Sequence, residues 1–477
     1  MPDRVRGSLA PVPEDDAAAR DWRQRSLWLD GIPEPLRQRP ALDGTLDCDV
    51  GIVGAGFTGL WTAYYLKRHQ PDLRVAVVER EIAGFGASGR NGGWVSSGIA
   101  GSLSAYGCAS SSAGAHAAER ETFATVDEIG SIVGREQIHC GFQKDGMLTI
   151  ATTVPQQRRL AALLADARAR HLGAGDLRPV GDEELRTLIR VPGSVSAAFS
   201  PHGARINPAR LARGLADACE RLGVMLFEGT EATEITPHRV RAATGTIHAD
   251  HVVCATEAFT IGLDGEHRRY LPLYSLMIAT EPLAPETWAA VGWRDAVLIR
   301  DSRHLFFYAQ RTADGRIAIG GRGAPYPLGS PITPASEQNA RVRRRLVAAV
   351  ARHFPAAAAA RITHHWGGPL AVPRDWSMSI SHDRRTGLAR AGGYSGHGVV
   401  ASNISGRTLA DLILARDTPL VSMPWVAHTT RRWEPEPLRF LASRAIVRTL
   451  ESADRYEDRS NRRARRERLV RPFMPPA

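Results

Sequence analysis

The sequence predicts a mixed α/β (α+β) fold with two domains, one built on a parallel sheet and one on a mostly antiparallel sheet. Three observations support this prediction. The chain has 477 residues, which is too many for a single hydrophobic core. Strand and helix patterns alternate near the beginning, in the middle and near the end of the chain. Segments of strand character lie between them, so one domain is assembled from separated segments and the other is inserted into it.

The first strand–helix–strand pattern lies near the start of the chain. An apolar run at 50–53 precedes a helix pattern from about 60 to 68, and a second apolar run at 75–78 ends at the acid Glu79. Three glycines follow the first run with GxGxxG spacing: Gly54, Gly56 and Gly59. They allow a tight turn, a close approach of the backbone to a pyrophosphate, and close packing of helix on strand. A carboxylate at the tip of the second strand can accept both ribose hydroxyls. The pattern therefore predicts a Rossmann-like unit that binds a dinucleotide.

The remaining elements follow from apolar periodicity and turn residues. Helices are predicted at 115–137, 155–173, 181–189 and 336–353, and another begins at Asn207-Pro208, a cap followed by a first-turn proline. Strands are predicted at 224–235 and 251–259, with a strand pair around the Lys-Asp-Gly turn of 141–153. Residues 267–325 have strand character throughout, and Asp314-Gly315 predicts a hairpin turn. A strand, a second glycine-rich loop and a helix at 388–417 resemble the opening pattern.

These elements predict a domain organisation with several crossings between the two domains. The nucleotide domain takes 47–100, 200–262 and 363–416, and the substrate domain takes 101–199 and 263–362. An N-terminal arm, 1–46, precedes them, and a basic C-terminal extension, 417–477, follows. The arm carries one apolar patch, Leu27-Trp28-Leu29, which predicts that it packs across the domain surface. The extension either closes over the domain or mediates contacts, and the sequence does not decide between them.

Composition excludes several other classes of protein. No apolar run reaches the ~18–20 residues of a membrane span, and the first residues lack the apolar core of a secretory signal, so we expect a cytoplasmic protein. The five cysteines are odd in number and scattered, which argues against a disulfide framework or a zinc site: Cys48, Cys108, Cys140, Cys219 and Cys254. Neighbouring His364 and His365 would point to opposite faces of a strand, so no metal site is expected. The net charge of +11 is almost all arginine and is spread along the chain. Nucleic acid is therefore not expected as a partner.

Several motifs, taken in order, resemble the FAD-dependent D-amino-acid oxidase superfamily. They are DVGIVGAGFTGLWTAYYL, GASGRNGGW, INPARL, VVCATEAF, GRIAIGGR and GGYSGHGVVASNISGRTLADLIL, together with the acid Glu79. The chain is most similar to the amine-oxidising branch, which includes sarcosine, glycine and γ-glutamylputrescine oxidases, and the similarity covers roughly residues 25–440. The resemblance implies a Rossmann-like FAD-binding domain and an oxidoreductase of the amine oxidase or dehydrogenase type.

The resemblance also implies roles for individual residues. Gly54, Gly56, Phe57 and Thr58 would contact the pyrophosphate, and Glu79 and Arg80 the adenosine ribose and its surroundings. Ala232 would meet the adenine through its backbone. The ribityl chain and flavin ring would run beside Ala87, Ser88, Arg90, Asn91, Gly92 and Gly93. The pyrimidine edge of the flavin would lie under Gly396, His397, Gly398 and Val399. A helix N-terminus there would stabilise negative charge on reduced flavin, and we interpret His397 as a scaffold rather than a base.

Two departures from the family bear on the cofactor and the substrate. Some sarcosine-type oxidases hold flavin through a cysteine in a late loop, and this chain has none there, so we predict non-covalent FAD. Those enzymes also carry a lysine two residues after the second glycine of the GHG loop, where it meets a substrate carboxylate. Val400 occupies that position here. A small α-amino acid held in that way is therefore disfavoured, although an arginine elsewhere could take over the role.

The implied reaction is hydride transfer from the carbon next to an amine nitrogen to flavin N5, giving an imine that hydrolyses, with O2 as acceptor and H2O2 as product. A dedicated base is optional, because an apolar pocket can lower the pKa of the amine by desolvation. No catalytic residue is assigned. The candidate pocket residues are Tyr274, Arg303, Phe307, Tyr308, Trp366 and Tyr394, each with a structural alternative. Two other functions stay open: a dehydrogenase that reduces a quinone or carrier, and an RNA-modifying or RNA-binding flavoprotein that uses the basic tail. The sequence does not predict the oligomeric state.

Overall fold

The structure is a computed structural model and describes residues 22–101, 103–107, 113–294, 296–323 and 326–473. Its helices are α1 Leu27–Asp30, α2 Phe57–His69, α3 Ala113–Arg135, α4 Val154–Ala169, α5 Asp182–Leu188, α6 Pro208–Arg221, α7 Pro285–Val291, α8 Ala340–His353, α9 Gly398–Ile413 and α10 Leu438–Ser460. Its strands are β1 Gly44–Val53, β2 Val75–Val78, β3 Trp94–Ser96, β4 Met147–Ala151, β5 Arg178–Val180, β6 Ser196–Ser200, β7 Gly203–Arg205, β8 Met225–Phe227, β9 Ala232–Thr236, β10 Arg239–Ala242, β11 Gly245–Cys254, β12 Leu271–Thr280, β13 Leu298–Asp301, β14 Phe307–Arg311, β15 Ile317–Gly321, β16 Ile362–Val372, β17 Ser379–Asp383 and β18 Leu388–Gly392.

The strands form two large sheets. The first has the order β17-β18-β11-β1-β2-β8, with β10 and β9 extending from β11. Its centre is parallel, because β1 pairs with β2 and β11, β2 with β8, and β11 with β18. The second has the order β16-β12-β15-β14-β13-β4-β6-β5, and among the described strands only β4 and β13 pair in parallel in it. The predicted mixed fold, with one parallel and one mostly antiparallel sheet, is confirmed.

The core of the first sheet explains why the glycine-rich turns meet. All four residues of β2 are buried, as expected for a parallel strand covered on both faces. Helices α2 and α9 cross so closely that a Cβ at Gly406 would lie 2.5 Å from the Cβ of Trp61. A hydrogen bond of 2.8 Å joins Thr58 Oγ1 to Tyr394 OH, on the loop before α9. The beginnings of α2 and α9, each preceded by a glycine-rich turn, are thus held side by side.

Local turn signals predicted several element boundaries correctly. Asn207 caps α6 by accepting hydrogen bonds from the backbone N–H groups of Ala209 and Arg210, both at 3.0 Å. The predicted Asp314-Gly315 turn joins the antiparallel strands β14 and β15, and Gly315 has a φ of +76°. Such conformations depend on neighbouring residues alone, which is why sequence patterns identify them.

Other predictions about elements are wrong. Residues 141–153 contain the single strand β4, because its two edges pair with the distant strands β6 and β13 rather than with a local partner. The stretch 224–235 is divided into β8 and β9 by a turn at Gly229, where φ is +63°. Helix α7 interrupts the region 267–325, which was predicted to be strand throughout, and it begins at Pro285.

The predicted domain limits remain a prediction. One strand, β16, lies in a different sheet from the one that these limits imply. Strand β16 pairs with β12 along its whole length, from Leu271 opposite Val372 to Thr280 opposite Ile362. It therefore lies in the second sheet, although the limit at 363 assigned it to the nucleotide domain. Its position follows from pairing with a strand about 90 residues earlier, which no local pattern reveals.

The two terminal segments pack on the rest of the chain. The patch Leu27-Trp28-Leu29 is buried, and Trp28 Nε1 donates to the carbonyl of Asn91 at 2.7 Å. Helix α10 lies against the second sheet, where Asp458 accepts from Arg303 at 3.0 Å and Asp454 accepts the backbone N–H of Leu305 at 3.0 Å. The C-terminal extension thus closes over the second sheet. Within the described part of the chain, no helix combines the length and the apolar character needed to cross a bilayer.

Candidate active site

A cavity with a volume of about 2440 Å³ lies between the two sheets. Its wall includes the turn before α2, the loop after β2, the beginning of α9, the strands of the second sheet and part of the C-terminal extension. Pockets that hold one drug-sized ligand have volumes of ~300–1,000 Å³. The cavity therefore has room for a dinucleotide and a second molecule.

The turn before α2 is shaped for a close approach to phosphate. Gly54 has a φ of +105°, and a Cβ there would lie 2.7 Å from the carbonyl oxygen of Ala255. A Cβ at Gly59 would lie 2.0 Å from the carbonyl oxygen of Gly54, so only glycine lets the helix pack this closely on the turn. Gly56 caps α2 without a side-chain hydrogen bond, and of the N–H groups at the helix start that of Phe57 donates to Ser88 Oγ at 2.9 Å. These features fit the pyrophosphate of a dinucleotide.

Glu79 lies at the carboxyl end of β2, where its carboxylate faces the cavity. One oxygen accepts the backbone N–H of Ala55 at 2.9 Å and the other accepts that of Glu81 at 3.0 Å. Burial raises the pKa of the carboxyl above its usual range, and the two N–H groups oppose that shift. The two hydrogen bonds fix the orientation of the acceptor that a ribose requires. Arg80 and Ala232 line the same part of the cavity.

The loop at 87–93 is held by contacts with the start of α2 and with the second sheet. Phe57 N–H donates to Ser88 Oγ at 2.9 Å, and Asn91 folds back to donate to the carbonyl of Ser88 at 2.7 Å. Arg90 is buried and forms an ion pair with Glu337 at 2.6 Å. Ala87, Ser88, Arg90, Asn91 and Gly92 line the cavity. Gly93 does not line the cavity. Its φ is +68°, and it packs so closely on Gln310 that a Cβ added there would lie 2.1 Å from that side chain.

The second glycine-rich loop lies at the start of α9. Gly396 has a φ of +99°, and His397 caps the helix without a side-chain hydrogen bond. Gly396, His397, Gly398 and Val399 all line the cavity. Burial lowers the pKa of His397 to about 3, and the charges of Arg322 and Arg300 add to that shift. A histidine with this pKa is neutral and weakly basic at pH 7, which supports a positioning role rather than that of a general base.

Glu257 is a cavity residue that the sequence analysis did not single out. Its carboxylate accepts the backbone N–H of Ala371 in β16 at 3.2 Å and that of Tyr394 at 3.1 Å. Burial raises the pKa of Glu257 to about 7. This side chain joins the second sheet to the loop before α9, and its only signal in sequence is an acid directly after a buried strand.

Three of the six candidate pocket residues line the cavity: Tyr274, Tyr308 and Tyr394. The ring of Tyr308 lies against the loop after β2, since a Cβ at Gly92 would be 2.5 Å from its Cε2 atom. Tyr308 also packs edge to face on Trp94 with ring centroids 5.8 Å apart. Ser275 and Tyr308 share a hydroxyl–hydroxyl hydrogen bond. The second sheet thus presents an aromatic, hydrogen-bonded surface to the cofactor loops.

The other three candidates lie outside the cavity wall. Arg303 follows β13 and is occupied by an ion pair with Asp458 of α10 at 3.0 Å. Phe307 is buried in the core of the second sheet, because it precedes Tyr308 on β14 and neighbouring strand residues point to opposite faces. Trp366 packs edge to face on Trp28 of the N-terminal arm, with ring centroids 5.9 Å apart.

Two groups of cavity residues were missed by the sequence analysis. The first is a pair of arginines on the second sheet, Arg300 and Arg322. The second is contributed by the C-terminal extension: Trp433, Leu438, Arg439, Ile446, Val447 and Leu450. The predicted GRIAIGGR strand contains Arg322, but the side of the sheet on which this side chain lies depends on how the strands pair. The apolar residues of the extension repeat at helical spacing, which predicts a buried face without identifying what it covers.

Residues 49–412 match the sequence model of a family described as FAD dependent oxidoreductase. Among curated relatives, a probable oxidoreductase, OrdL, of Haemophilus influenzae is 28% identical over 83% of this chain and 89% of the relative. The gamma-glutamylputrescine oxidoreductase of Escherichia coli is 27% identical over 78% of this chain and 85% of the relative. Among solved structures, glycine oxidase from Geobacillus kaustophilus matches with a TM-score of 0.65 and 20% identity, over 80% of this chain and all of that one. At this identity the structural similarity shows the fold alone.

Proposed function

The chain belongs to the FAD dependent oxidoreductase family, and on that premise we propose that it oxidises the C–N bond of an amine or amino-acid-like substrate. Family membership makes it an FAD-dependent oxidoreductase of the amine and amino-acid oxidase type. When bound, FAD accepts a hydride at flavin N5. In the proposed reaction the substrate loses that hydride from carbon and a proton from nitrogen. The resulting imine is hydrolysed by water to a carbonyl compound and ammonia or an amine.

Residues on both sides of the cavity have roles in this proposal. Gly54, Gly56, Phe57 and Thr58 hold the pyrophosphate, Glu79 and Arg80 the adenosine ribose, and Ala232 the adenine. The loop at 87–93 and the turn at 396–399 hold the flavin half, with Gly93 acting through the backbone of the loop rather than at the cavity surface. We propose that FAD is bound without a covalent bond, because the chain has no cysteine in the late loop that holds flavin in some sarcosine-type oxidases.

The observation that carries the proposal is that one cavity joins the dinucleotide turn to an aromatic wall on the second sheet. Tyr274 and Tyr308 belong to this wall and Tyr394 lies beside it on the loop before α9, and burial raises the pKa of Tyr308 and Tyr394 above the ordinary value. His397 has a pKa far below 7. These four groups therefore stay uncharged near neutral pH and none is suited to remove a proton from an ammonium group. Desolvation in this wall would instead favour the neutral amine, which is the form that releases a hydride.

The names of two relatives point to different substrates. The relative from Escherichia coli is named for gamma-glutamylputrescine, whereas another, from Geobacillus kaustophilus, is a glycine oxidase. Val400 is buried and lines the cavity where a lysine would meet a small amino acid in the sarcosine-type enzymes. This residue supports an amine whose reacting carbon has no adjacent carboxylate at that loop.

An anaerobic bleaching screen tests the proposal. The purified yellow protein is mixed without oxygen with amines, amino acids and polyamine derivatives, and the flavin absorbance band is followed. Loss of the band with at least one amine is expected, and failure with every amine would refute the proposal. Air is then admitted. Rapid recovery with H2O2 release assigns O2 as acceptor, as we propose, and slow recovery favours the alternative, a dehydrogenase that reduces a quinone or carrier.

The RNA-binding alternative finds less support in the structure. The basic tail packs on its own chain, where Arg463 forms an ion pair with Glu467 and Arg466 stacks on Tyr456. Retention of RNA that weakens steeply with salt, together with no bleaching by any amine, would favour that alternative.

A further inference from the structure

Exposed apolar side chains surround the opening of the cavity on the side of the C-terminal extension. Four of the seven exposed large apolar side chains of the described residues, each 47–59% exposed, come from this region: Leu328, Leu438, Leu441 and Phe473. Leu438 and Phe473 also line the cavity, so they lie where it meets solvent. We call these four side chains the opening face.

Two contacts hold the three segments of the opening face side by side. The backbone N–H of Gly329 donates to the carboxylate of Glu436 at 3.3 Å, which holds the loop of the first leucine against the start of α10. The guanidinium of Arg374 lies over the rings of Trp433 and Phe473, at 5.2 and 5.9 Å from their centroids. This second contact holds the end of the described chain against the segment that leads into α10. The apolar side chains therefore form one surface.

The chain beside the opening face is basic. Residues 431–450 contain five arginines and two glutamates. Both glutamates are already paired, Glu434 with Arg374 at 3.0 Å and Glu436 with Arg439 at 2.7 Å. The other four arginines are exposed, and none has a carboxylate within 4 Å among the described residues: Arg431, Arg432, Arg444 and Arg448. The surface therefore carries positive charge that the protein does not neutralise.

Helix α10 places apolar and basic side chains on one exposed face. Leu441, Arg444, Ala445 and Arg448 are exposed and follow one another at the spacing of neighbouring turns. Arg444 lies over the ring of Phe440, 5.0 Å from its centroid. The acids of α10 lie farther along the helix, where other elements engage them: Glu451, Asp454, Glu457 and Asp458. The first half of the helix is thus apolar and cationic.

We propose that the opening face docks on the surface of a bilayer that contains anionic lipids. The apolar side chains enter the boundary between headgroups and acyl chains, and the arginines beside them meet lipid phosphates. Docking turns the opening of the cavity towards the lipid. The inference goes beyond the proposed amine oxidation and does not depend on it.

The charge of this surface decides between two occupants. Exposed apolar side chains alone suit a protein partner as well as a membrane. A second copy of this chain, joined through the same face on both copies, would bring the unneutralised arginines of both copies together. Like charges opposed in this way repel, whereas anionic lipid attracts them. The opening face is therefore matched to lipid rather than to itself.

Flotation with vesicles tests the proposal on the purified FAD-bound protein. One set of vesicles is phosphatidylcholine alone, and the other contains about 30% phosphatidylglycerol, which gives the surface a negative potential. We expect binding to the anionic vesicles to be at least tenfold tighter. We also expect it to weaken as salt is added, because salt screens exposed charges.

Two arginines and one leucine can be replaced without touching the cavity. Each arginine near an anionic surface contributes about fivefold to affinity, so the double variant Arg444→Gln and Arg448→Gln should bind about 25-fold more weakly. Leu441→Gln should weaken binding at least threefold, by the same factor at two salt concentrations, because its contribution is apolar. All variants should retain FAD.

Helix α4 provides the matched control for charge. Arg158 and Arg168 are exposed on it and have no carboxylate within 4 Å among the described residues. This helix packs through Leu160 on strands β4 and β6, away from the opening face. The double variant Arg158→Gln and Arg168→Gln removes the same charge and should bind vesicles as the wild type does.

A fluorescent label shows which side chain enters the lipid. Leu441→Cys is made in a Cys108→Ser background, in which the cysteines that remain are buried. An environment-sensitive dye on Cys at this position should brighten when anionic vesicles are added. The same dye at Val195→Cys, where the native side chain is 45% exposed, should not respond.

Four results would overturn the inference. The first is no flotation with anionic vesicles at low salt. The second is an equal loss of binding in the α4 control. The third is unchanged binding in Leu441→Gln with no response of the dye at position 441. The fourth is a dimer in solution that Leu441→Gln abolishes, without vesicle binding, which would assign the face to a second copy. If Leu441→Gln does not fold, Leu328→Gln is judged by the same criteria.

Discussion

The close packing of α2 on the turn at Gly54 can be tested by adding one methyl group. In Gly59→Ala the new Cβ would lie 2.0 Å from the carbonyl oxygen of Gly54 and 3.1 Å from a methyl carbon of Ile52. The obstacle is backbone, so no side-chain rotation relieves it, and the helix must move by about an ångström. Overfilling a packed site costs up to about 3 kcal/mol. Alanine regains about 1 kcal/mol through its higher helix propensity. The net loss of unfolding free energy is therefore about 2 kcal/mol.

Gly134→Ala is the matched control. Gly134 also lies within a helix, α3, but a Cβ there would meet nothing within 4 Å. This variant should gain about 1 kcal/mol, so the two substitutions differ by about 3 kcal/mol. At ~2.1 cal/mol/K per residue the unfolding entropy of a 477-residue chain is about 1 kcal/mol/K, so their melting temperatures should differ by about 3 °C.

Thermal melting and the ratio of flavin absorbance to protein measure both consequences. The Gly59→Ala protein should melt lower and lose FAD on gel filtration, because the displaced helix start no longer offers its N–H groups to the pyrophosphate. If Gly59→Ala keeps both the wild-type FAD ratio and the wild-type melting temperature, the argument from close approach is wrong.

Three further predictions concern a carboxylate, a buried histidine and the C-terminal wall. Glu79→Gln should raise the Kd for FAD at least tenfold in equilibrium dialysis. Both carboxylate oxygens accept backbone N–H groups, and an amide can offer only one acceptor. An unchanged Kd for FAD would contradict the assignment of Glu79 to the ribose. The pKa of the buried His353 is lowered to about 3, so its neutral form stabilises the fold above pH 6.5 and that stability is lost as the pH falls. Between pH 7 and pH 5 the wild type should lose about 2 kcal/mol more than His353→Leu in urea unfolding, and equal losses would refute this. Leu450→Ala should lower the unfolding free energy by about 2–5 kcal/mol and raise the substrate KM, because Leu450 is 3% exposed and lines the cavity. On the same helix Leu441 is 58% exposed, so Leu441→Ala should change neither measurably.

The features that sequence predicted correctly are local. The GxGxxG turn, the Asn207-Pro208 helix start and the Asp314-Gly315 hairpin each depend on the backbone conformations open to a few neighbouring residues. The acid after β2 belongs to the same class, because the length of one strand–helix–strand unit sets its distance from the turn. The cofactor half of the site is built mainly from such units, and all of its predicted residues except Gly93 line one cavity.

The side of the cavity formed by the second sheet could be predicted only in part, since it depends on which distant strands pair. The direction of Tyr308 and Phe307 follows from the register of β14 with β15, and the two residues point to opposite faces. Arg303 was an equally reasonable candidate to Arg300 or Arg322 in sequence. The difference is that Arg303 forms an ion pair with Asp458 of α10, 155 residues later.

The position of the C-terminal extension has a consequence for how this protein can evolve. The family match ends at residue 412, yet residues beyond it, from Trp433 to Leu450, form part of the cavity wall. None of the hydrogen bonds and ion pairs described above joins the extension to the pyrophosphate turn or to Glu79. Mutation, or exchange of this one terminal segment between relatives, can therefore alter which amines fit while the cofactor-binding residues stay under separate selection.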